Sequence, residues 1–437
     1  MSRRVWITGI GPITGLGLGA EATWQGLSEG RSAIGPFDAF DASGLPCQLG
    51  AQIESGFKVR DYVPKTYRKA TKVMARDIEM AVAGAKLAAA DAGLHTAGSD
   101  GDAPPDHDPE RMGCHIGAGL IAADMDELTA AMDGSRAQGD RTHLDLHRWG
   151  EAGMHELTPL WLLKYLPNML ACHVTIIHDL RGPSNTITCA EASGGLSVGE
   201  SLRVIQRGQA DLCFCGGAES RLNPQAFLRQ ILANRLTHHN DAGAEAMRPF
   251  DRGASGGVAG EGGAILILEE QAAATRRGAE PYAELLGFGA SQTVSPETRN
   301  RAPDPEGRGV ASAIRAALRE AEREASSIDA VFAFGCAQPD WDQAEAAALR
   351  TTLGADKLAA TPVVAARTNW SNTGAGGGAL DLAAAALTLK HQTLPPILHR
   401  SDPIDGLGAR EAAKLETALV VSLGFGGQNC ALVLGKA

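Results

Sequence analysis

Short apolar runs alternate with Ala- and Leu-rich stretches along the whole chain. RRVWITGIG, residues 3–11, reads as a buried strand. RDIEMAVAGAKLAAADAGL, 76–94, carries apolar residues at the 3.6-residue spacing of a helix. DLCFCGGAES (211–220), GGAILILEE (262–270) and AVFAFGCAQPD (330–340) supply further buried strands. TALVVSLGFGGQNCALVLG, 417–435, reads as a hairpin folded about a glycine turn. Strands alternating with helices predict α/β layering.

One stretch stands apart. In GPSNTITCAEASGG, 182–195, the β-branched run Thr186–Thr188 predicts a strand, and LSVGESLRVIQRG after it predicts a helix. Small residues and glycines join the two, the arrangement that presents one reactive side chain on a tight strand-to-helix turn. The residue at that turn is Glu191, and the nearest thiol, Cys189, comes two positions early.

Composition narrows the function classes. With 44% hydrophobic and 21% charged residues over 437 positions, the chain is an ordinary globular protein with a large core. A net charge of −11 argues against binding nucleic acid or an anionic membrane, because both require a basic face. No apolar run is long enough to span a bilayer, and the opening MSRRVWITGIGPITGLG reads as strand and turn rather than signal peptide. The eight cysteines lack metal-type spacing and read as reduced core thiols, so the expected location is cytoplasmic. HTAGSDGDAPPDHDPER, 95–111, is polar and rich in Gly, Pro and Asp, which predicts an exposed, poorly ordered loop. A joint at 268–282 divides the chain into halves of similar make-up, 1–272 and 273–437.

Four segments, in order and spacing, resemble the β-ketoacyl synthase (condensing enzyme) family over nearly the whole chain. They are RRVWITGIGPITGLG, LPNMLACHVTIIHDLRGPSNT, MRPFDRGASGGVAGEGGAILILEE and VSLGFGGQNCALVL. The resemblance implies an α/β thiolase-like fold, two similar halves in α-β-α-β-α layers, dimeric through the first half. It implies no cofactor and no metal. The family's chemistry uses a Cys nucleophile to take an acyl group from an acyl carrier protein, and two histidines to polarise the malonyl thioester.

Carried over residue by residue, those three positions are all changed. The nucleophile falls at Glu191, the first His at Phe334 in FGCAQPD, and the second at Asn372 in RTNWSN, with Arg367 in place of a Lys. Glu345 keeps an acidic position. None of the 12 histidines lies between His239 and His391, so no shift of register restores either one. Glu191 at a helix N-terminus reads as an electrostatic cap worth about 0.3–1 kcal/mol. Cys189, placed on the strand, faces the same side but has no histidine to activate it.

Other positions are retained. Gly424, Phe425, Gly426 and Gly427 resemble the family's gating turn, and His173 a structural histidine. Trp161 falls where the family projects a large residue across the dimer interface, and Ile121 where the acyl tunnel ends. Plain core packing accounts for either equally well. Arg221, Arg229 and Arg235, with His238 and His239, offer cations for an acidic carrier, or merely a solvated helix face.

A ketosynthase-like chain without its thiol and histidines resembles the chain-length-factor subunit of type II polyketide synthases. There the nucleophile is commonly Gln in AEQAGGL; here the stretch is CAEASGGL, with Glu191 at the Gln position. The implied partners are a Cys-bearing ketosynthase, as a heterodimer, and acyl carrier protein bearing acyl or malonyl chains. Two alternatives stay open: a malonyl-carrier decarboxylase of the Gln-type loading kind, and a homodimeric acyl-binding homologue. Product length, reduction level and starter unit are not legible.

Overall fold

In a computed structural model, the described residues are 3–437 except 102, 138, 139, 141, 295–301, 405 and 409. The first half runs β1 (Val5–Thr14), α1 (Arg76–Asp91), β2 (Met112–Ala118), α2 (Met169–His178), β3 (Ser184–Ile187), α3 (Ser193–Gln206) and β4 (Leu212–Ser220). Helix α4 (Pro224–Leu232) and β5 (Ala259–Glu270) complete it. The second half repeats the order: β6 (Ala283–Gln292), α5 (Arg308–Glu320), β7 (Ala330–Phe332), α6 (Pro339–Leu353), β8 (Val363–Val364), α7 (Gly377–His391), β9 (Thr417–Leu423) and β10 (Gln428–Gly435). Only α4 lacks a counterpart among these elements.

The pairing carries the same duplication. The strands follow the order β8-β7-β9-β10-β6-β1-β5-β4-β2-β3. In each half the first strand pairs antiparallel with the fifth and the fifth antiparallel with the fourth, while the second lies parallel to both third and fourth. The halves meet edge to edge through Trp6↔Glu284 and Ile7↔Ala283.

Three apolar clusters define five layers. Helices α1 and α2 cover the outer face of the first half's sheet, and α5 and α6 that of the second. Between the sheets lie α3 and α7. Helix α7 is buried from Gly377 to Leu389 and is apolar on every side, as a helix sandwiched between two sheets must be. Close approach at the helix starts requires glycine: a Cβ on Gly194 would meet the Ala375 carbonyl oxygen at 2.7 Å. The N-termini of the two central helices therefore converge on one place, beside Glu191 and Asn372.

The predicted strands and helices form, with two corrections. The strand before Glu191 is Ser184–Ile187 and ends before Cys189. The segment 95–111 is tied to the core rather than loose: Thr96 is buried with Oγ1 2.7 Å from His178 Nδ1, and His107 Nε2 lies 2.8 Å from the buried Glu269 carboxylate. Its polar composition hid these anchors, each a single side chain reaching inward. No helix among the described residues is long and apolar enough to cross a membrane.

Burial holds two histidines neutral. It lowers His178 to about 3, with Lys86 adding to the effect, and His115 to about 4. Unfolded histidine titrates near 6.5, so the unfolded chain binds more protons between there and about 4. These two groups therefore contribute stability that is lost as pH drops from ~6.5 to ~4, while Glu345, Asp342 and Asp381, pushed up by burial to about 8, 6 and 6, act in the opposite sense. Urea denaturation of the parent and of His178→Phe across that range isolates the histidine contribution: as pH drops, the variant should lose less stability, or gain more, than the parent.

Candidate functional site

The turn that joins β3 to α3 is a single 3-10 turn, Ala190–Ala192, entered through Ala190 at φ 50°. A left-handed conformation at a non-glycine residue is strained. Here it is held by Ser193, whose Oγ accepts from Cys189 N at 2.8 Å and donates to the Ala190 carbonyl at 2.6 Å. The strain presents residue 191 inward, where it is fully buried.

Glu191 is not a helix cap. Its Oε1 accepts from Arg221 Nη2 at 2.7 Å and its Oε2 from Phe425 N at 3.2 Å. Arg221 is itself buried and also donates from Nε to Glu219 at 3.0 Å. Glu219 in turn accepts from Ala375 N, at the start of the second central helix, at 2.7 Å. Arg235 supplies a second positive charge, with its guanidinium 4.0 Å over the Phe425 ring. Two carboxylates and two guanidinium groups thus make a neutral set. Burial pushes the Glu191 carboxyl up, but the charges of Arg221 and Arg235 outweigh it and hold the group below its ordinary range. A carboxylate so engaged is neither a nucleophile nor a base, and the N–H of Phe425 is spent on it.

The other two changed positions form a second unit. Phe334 is buried, and its backbone N–H and that of Gly335 donate to the Glu345 carboxylate at 2.8 and 2.9 Å. Arg367, with no solvent exposure, donates from Nη1 to the Phe334 carbonyl at 2.6 Å and to Asp381 at 2.7 Å. Its Cζ sits 4.3 Å from the Phe334 ring centroid, a cation–π geometry. A Cβ on Gly377 would meet Arg367 Nη2 at 2.7 Å, so the glycine makes room for the arginine. Asn372 turns its amide oxygen to Gly374 N at 3.1 Å and caps the turn before α7.

Phe425 locks the two units together. It stacks edge-on against Phe334 and Trp341, with ring centroids 5.9 and 4.9 Å away, beneath the Arg235 guanidinium. The glycines of its turn, Gly424, Gly426 and Gly427, connect β9 to β10. What remains between Arg221, Arg235, Cys336, Asn372 and Phe425 is a void of about 10 Å³, no more than one water's worth.

Of the remaining residues, Cys189 and Arg221 need correction. Cys189 lies in the turn, half-buried, not on the strand facing with Glu191. Burial raises its thiol pKa, which leaves it inert. Arg221 is buried on the two carboxylates and is withheld from any docking partner. Arg235 and Arg229 are half-buried: Arg235 lies over the Phe425 ring and donates to Gln230 Oε1 at 3.4 Å, and Arg229 donates to the Leu120 carbonyl at 3.3 Å. Ile121 is buried in the outer core of the first half, whereas Leu120, 69% exposed, lines an outer cleft of about 320 Å³ with Thr188, Ala190, Arg229 and Gln230. Trp161 stacks on Tyr165 within its own segment at 5.0 Å, and exposed Leu160 and Leu162 flank it. His173 accepts or donates a 2.8 Å bond with Tyr67 Oη and has no contact with Glu191. Leu120 and Gln230 escaped sequence reasoning because neither carries a reactive group.

Comparison with known proteins shows the family. The profile of the β-ketoacyl synthase N-terminal domain matches residues 2–274, and that of the C-terminal domain matches 282–401. The chain belongs to the β-ketoacyl synthase family. It is 31% identical to a 3-oxoacyl-[acyl-carrier-protein] synthase 2 of Coxiella burnetii, over 99% of both chains. It is also 31% identical to the actinorhodin polyketide putative beta-ketoacyl synthase 2 of Streptomyces coelicolor, over 99% of this chain and 98% of that one. Among solved structures, the ishigamide ketosynthase/chain length factor superposes with a TM-score of 0.82 at 26% identity, covering all of both chains. A beta-ketoacyl synthase from Burkholderia phymatum gives the same TM-score at 27% identity. The fold is the thiolase-like fold of β-ketoacyl synthases, and type II polyketide synthases are among its relatives.

Removing one member of a buried ion pair costs about 3–5 kcal/mol. Glu191→Ala is expected to destabilise the fold by about that amount, since Arg221 then faces Glu219 alone. The double variant Glu191→Ala/Arg221→Ala should lose clearly less than the sum of the singles. Chemical denaturation of all four proteins measures the coupling.

Proposed function

We propose that this chain is the non-catalytic, chain-length-factor-like partner of a Cys-bearing ketosynthase in type II polyketide or polyene (fatty-acid-like) biosynthesis. The observation that carries this reading is the fully buried Glu191, neutralised by Arg221 where the family places its thiol. Phe334 and Asn372 complete it: one is an apolar ring under an arginine, the other an amide whose oxygen caps a turn, and neither can take up or release a proton as a histidine does.

A scaffold kept without its chemistry is explained if its product is an interface. Strand β3 ends the sheet, and its outer edge has no strand beside it among the described residues. An open edge is a template for pairing with another chain. Leu120, Leu144, Leu146, Leu160, Leu162 and Ile176 are exposed, each at 48% or more. Large apolar side chains left in water in this way mark an association surface, and a permanent partner would cover about 2,000 Å² or more. The 320 Å³ cleft at Leu120, Thr188 and Gln230 opens beside β3, where it would extend the partner's acyl tunnel. Ile121, which lines a separate cleft with Lys164 and Tyr165, and Trp161 would limit the chain's reach, because packed cores yield poorly to added methylenes. The assembly would work in the cytoplasm, with acyl carrier protein delivering the chain.

Native mass spectrometry of the chain alone, and co-expressed with the ketosynthase encoded nearest to it, tests this reading after exposure to acyl- and malonyl-loaded carrier. The expected result is a 1:1 heterodimer in which only the partner gains acyl mass. A homodimer that itself gains acyl mass, or that releases carbon dioxide from malonyl-carrier unaided, would overturn it.

A further inference from the structure

A cleft of about 670 Å³ opens on the first half, outside the site at Glu191. It lies between the start of α1, the loop before the helix Met125–Gly134 and the chain leading from β4 to α4. Five acids line it, Asp77, Glu79, Asp124, Asp126 and Glu261, against two cations, Arg76 and Lys164. Both cations are engaged already. Arg76 donates to Glu261 at 2.7 and 3.0 Å and lies 3.7 Å from Glu79, while Lys164 pairs with Glu127, which is not part of the lining. Among the described residues no cation answers Asp77, Asp124 or Asp126.

Asp77 sets this cleft apart from an ordinary acidic surface. It lines the cleft yet is only 3% exposed. Its Oδ1 accepts from Ser220 N at 3.2 Å, and its Oδ2 is buried with no partner. Nearly every buried polar atom in a folded protein has a partner, so an orphan on the wall of an open cleft points to a missing donor. Its neighbour Glu261 is satisfied, accepting from Ile53 N and Ser220 Oγ as well as Arg76. Burial, with the Glu219 charge adding to it, pushes the Asp77 carboxyl well above its ordinary range, so the empty cleft holds it protonated. Phe40, Met74 and Leu222 give the cleft an apolar wall.

From the orphaned oxygen and the unanswered acids we infer that this cleft is a binding site for a small organic amine, whose ammonium group meets Asp77 and whose carbon body lies along the apolar wall. An anion would face three unanswered carboxyl groups. A bare metal ion does not fit, because among the described residues no three of the acids converge to hold one. The volume is that of a site for a small organic molecule. The amine enters already protonated and stabilises the ionised form of Asp77, so the Asp77 proton passes to solvent on binding. Asp77 sits in the first turn of α1, and Asp124 and Asp126 begin the helix Met125–Gly134. A bound amine therefore ties these two segments together and should raise the melting temperature.

The test uses the full chain, with diaminobutane as probe and butanediol as its uncharged counterpart, at pH ~8, where an alkylamine is charged. Calorimetry in ~150 mM NaCl, which screens diffuse attraction to an acidic surface, gives affinity and stoichiometry. Repeating it in Tris and in phosphate, whose ionisation heats differ, counts protons. One diaminobutane per chain is expected, with release of about one proton and a raised melting temperature. Butanediol should not bind. Asp77→Asn keeps an acceptor for Ser220 N but cannot ionise; it should weaken binding about tenfold or more and abolish proton release. Asp124→Asn/Asp126→Asn, at exposed positions, should weaken binding less, and Asp356→Asn, an exposed acid of the second half, should leave it unchanged. The double variant decides the matter if Asp77→Asn fails to fold. No saturable binding, equal binding of butanediol, displacement of the amine by magnesium chloride at equal charge, or full affinity in the folded cleft variants would each overturn the proposal.

Discussion

A guanidinium group buried without solvent needs its charge answered and its donors filled. Arg221 meets that need with Glu191 on one side and Glu219 on the other, and the rest of the site follows from it. Glu219 ties the set to the start of α7 through Ala375 N, Glu191 ties it to the β9–β10 turn through Phe425 N, and Arg235 closes the charge balance from above that turn. A cysteine at 191 would leave Arg221 with one carboxylate in place of two. Glu191 and Arg221 therefore depend on one another, though they lie 30 residues apart on the chain.

The same logic joins 334 with 367. The phenyl ring at 334 offers the buried guanidinium its negative face. Asp381 takes the arginine's remaining charge, and Glu345 holds the loop on which the ring sits. Between these groups only a void of about 10 Å³ is left, and the buried charges are held in ion pairs.

The five-layer scaffold does not depend on these ion pairs. Its duplicated strand order, its two sheets and its sandwiched helices rest on the three apolar clusters, none of which includes Glu191, Arg221 or Glu219. A fold whose layers are held by such clusters can change the charges of its site and keep its outer surfaces. The open edge at β3 and the exposed leucines are such surfaces, and the function proposed for the chain is located on them.

Much of this was legible in the residues alone. Period-two and period-3.6 patterns marked the strands and helices, since backbone geometry imposes those periods locally. The strand, small-residue turn and helix around 182–195 marked the elbow, and the absence of histidine from 240 to 390 ruled out the family's acid–base pair in any register. The destinations of long side chains were not legible. Arg221 read as a surface cation and is turned inward; Glu191 read as a cap and is an ion-pair partner; Thr96 and His107 sit in a stretch that read as loose and anchor it. Each of these depends on a partner many residues away in sequence. Local pattern determines which elements form, but only packing in three dimensions decides which charge each buried side chain meets.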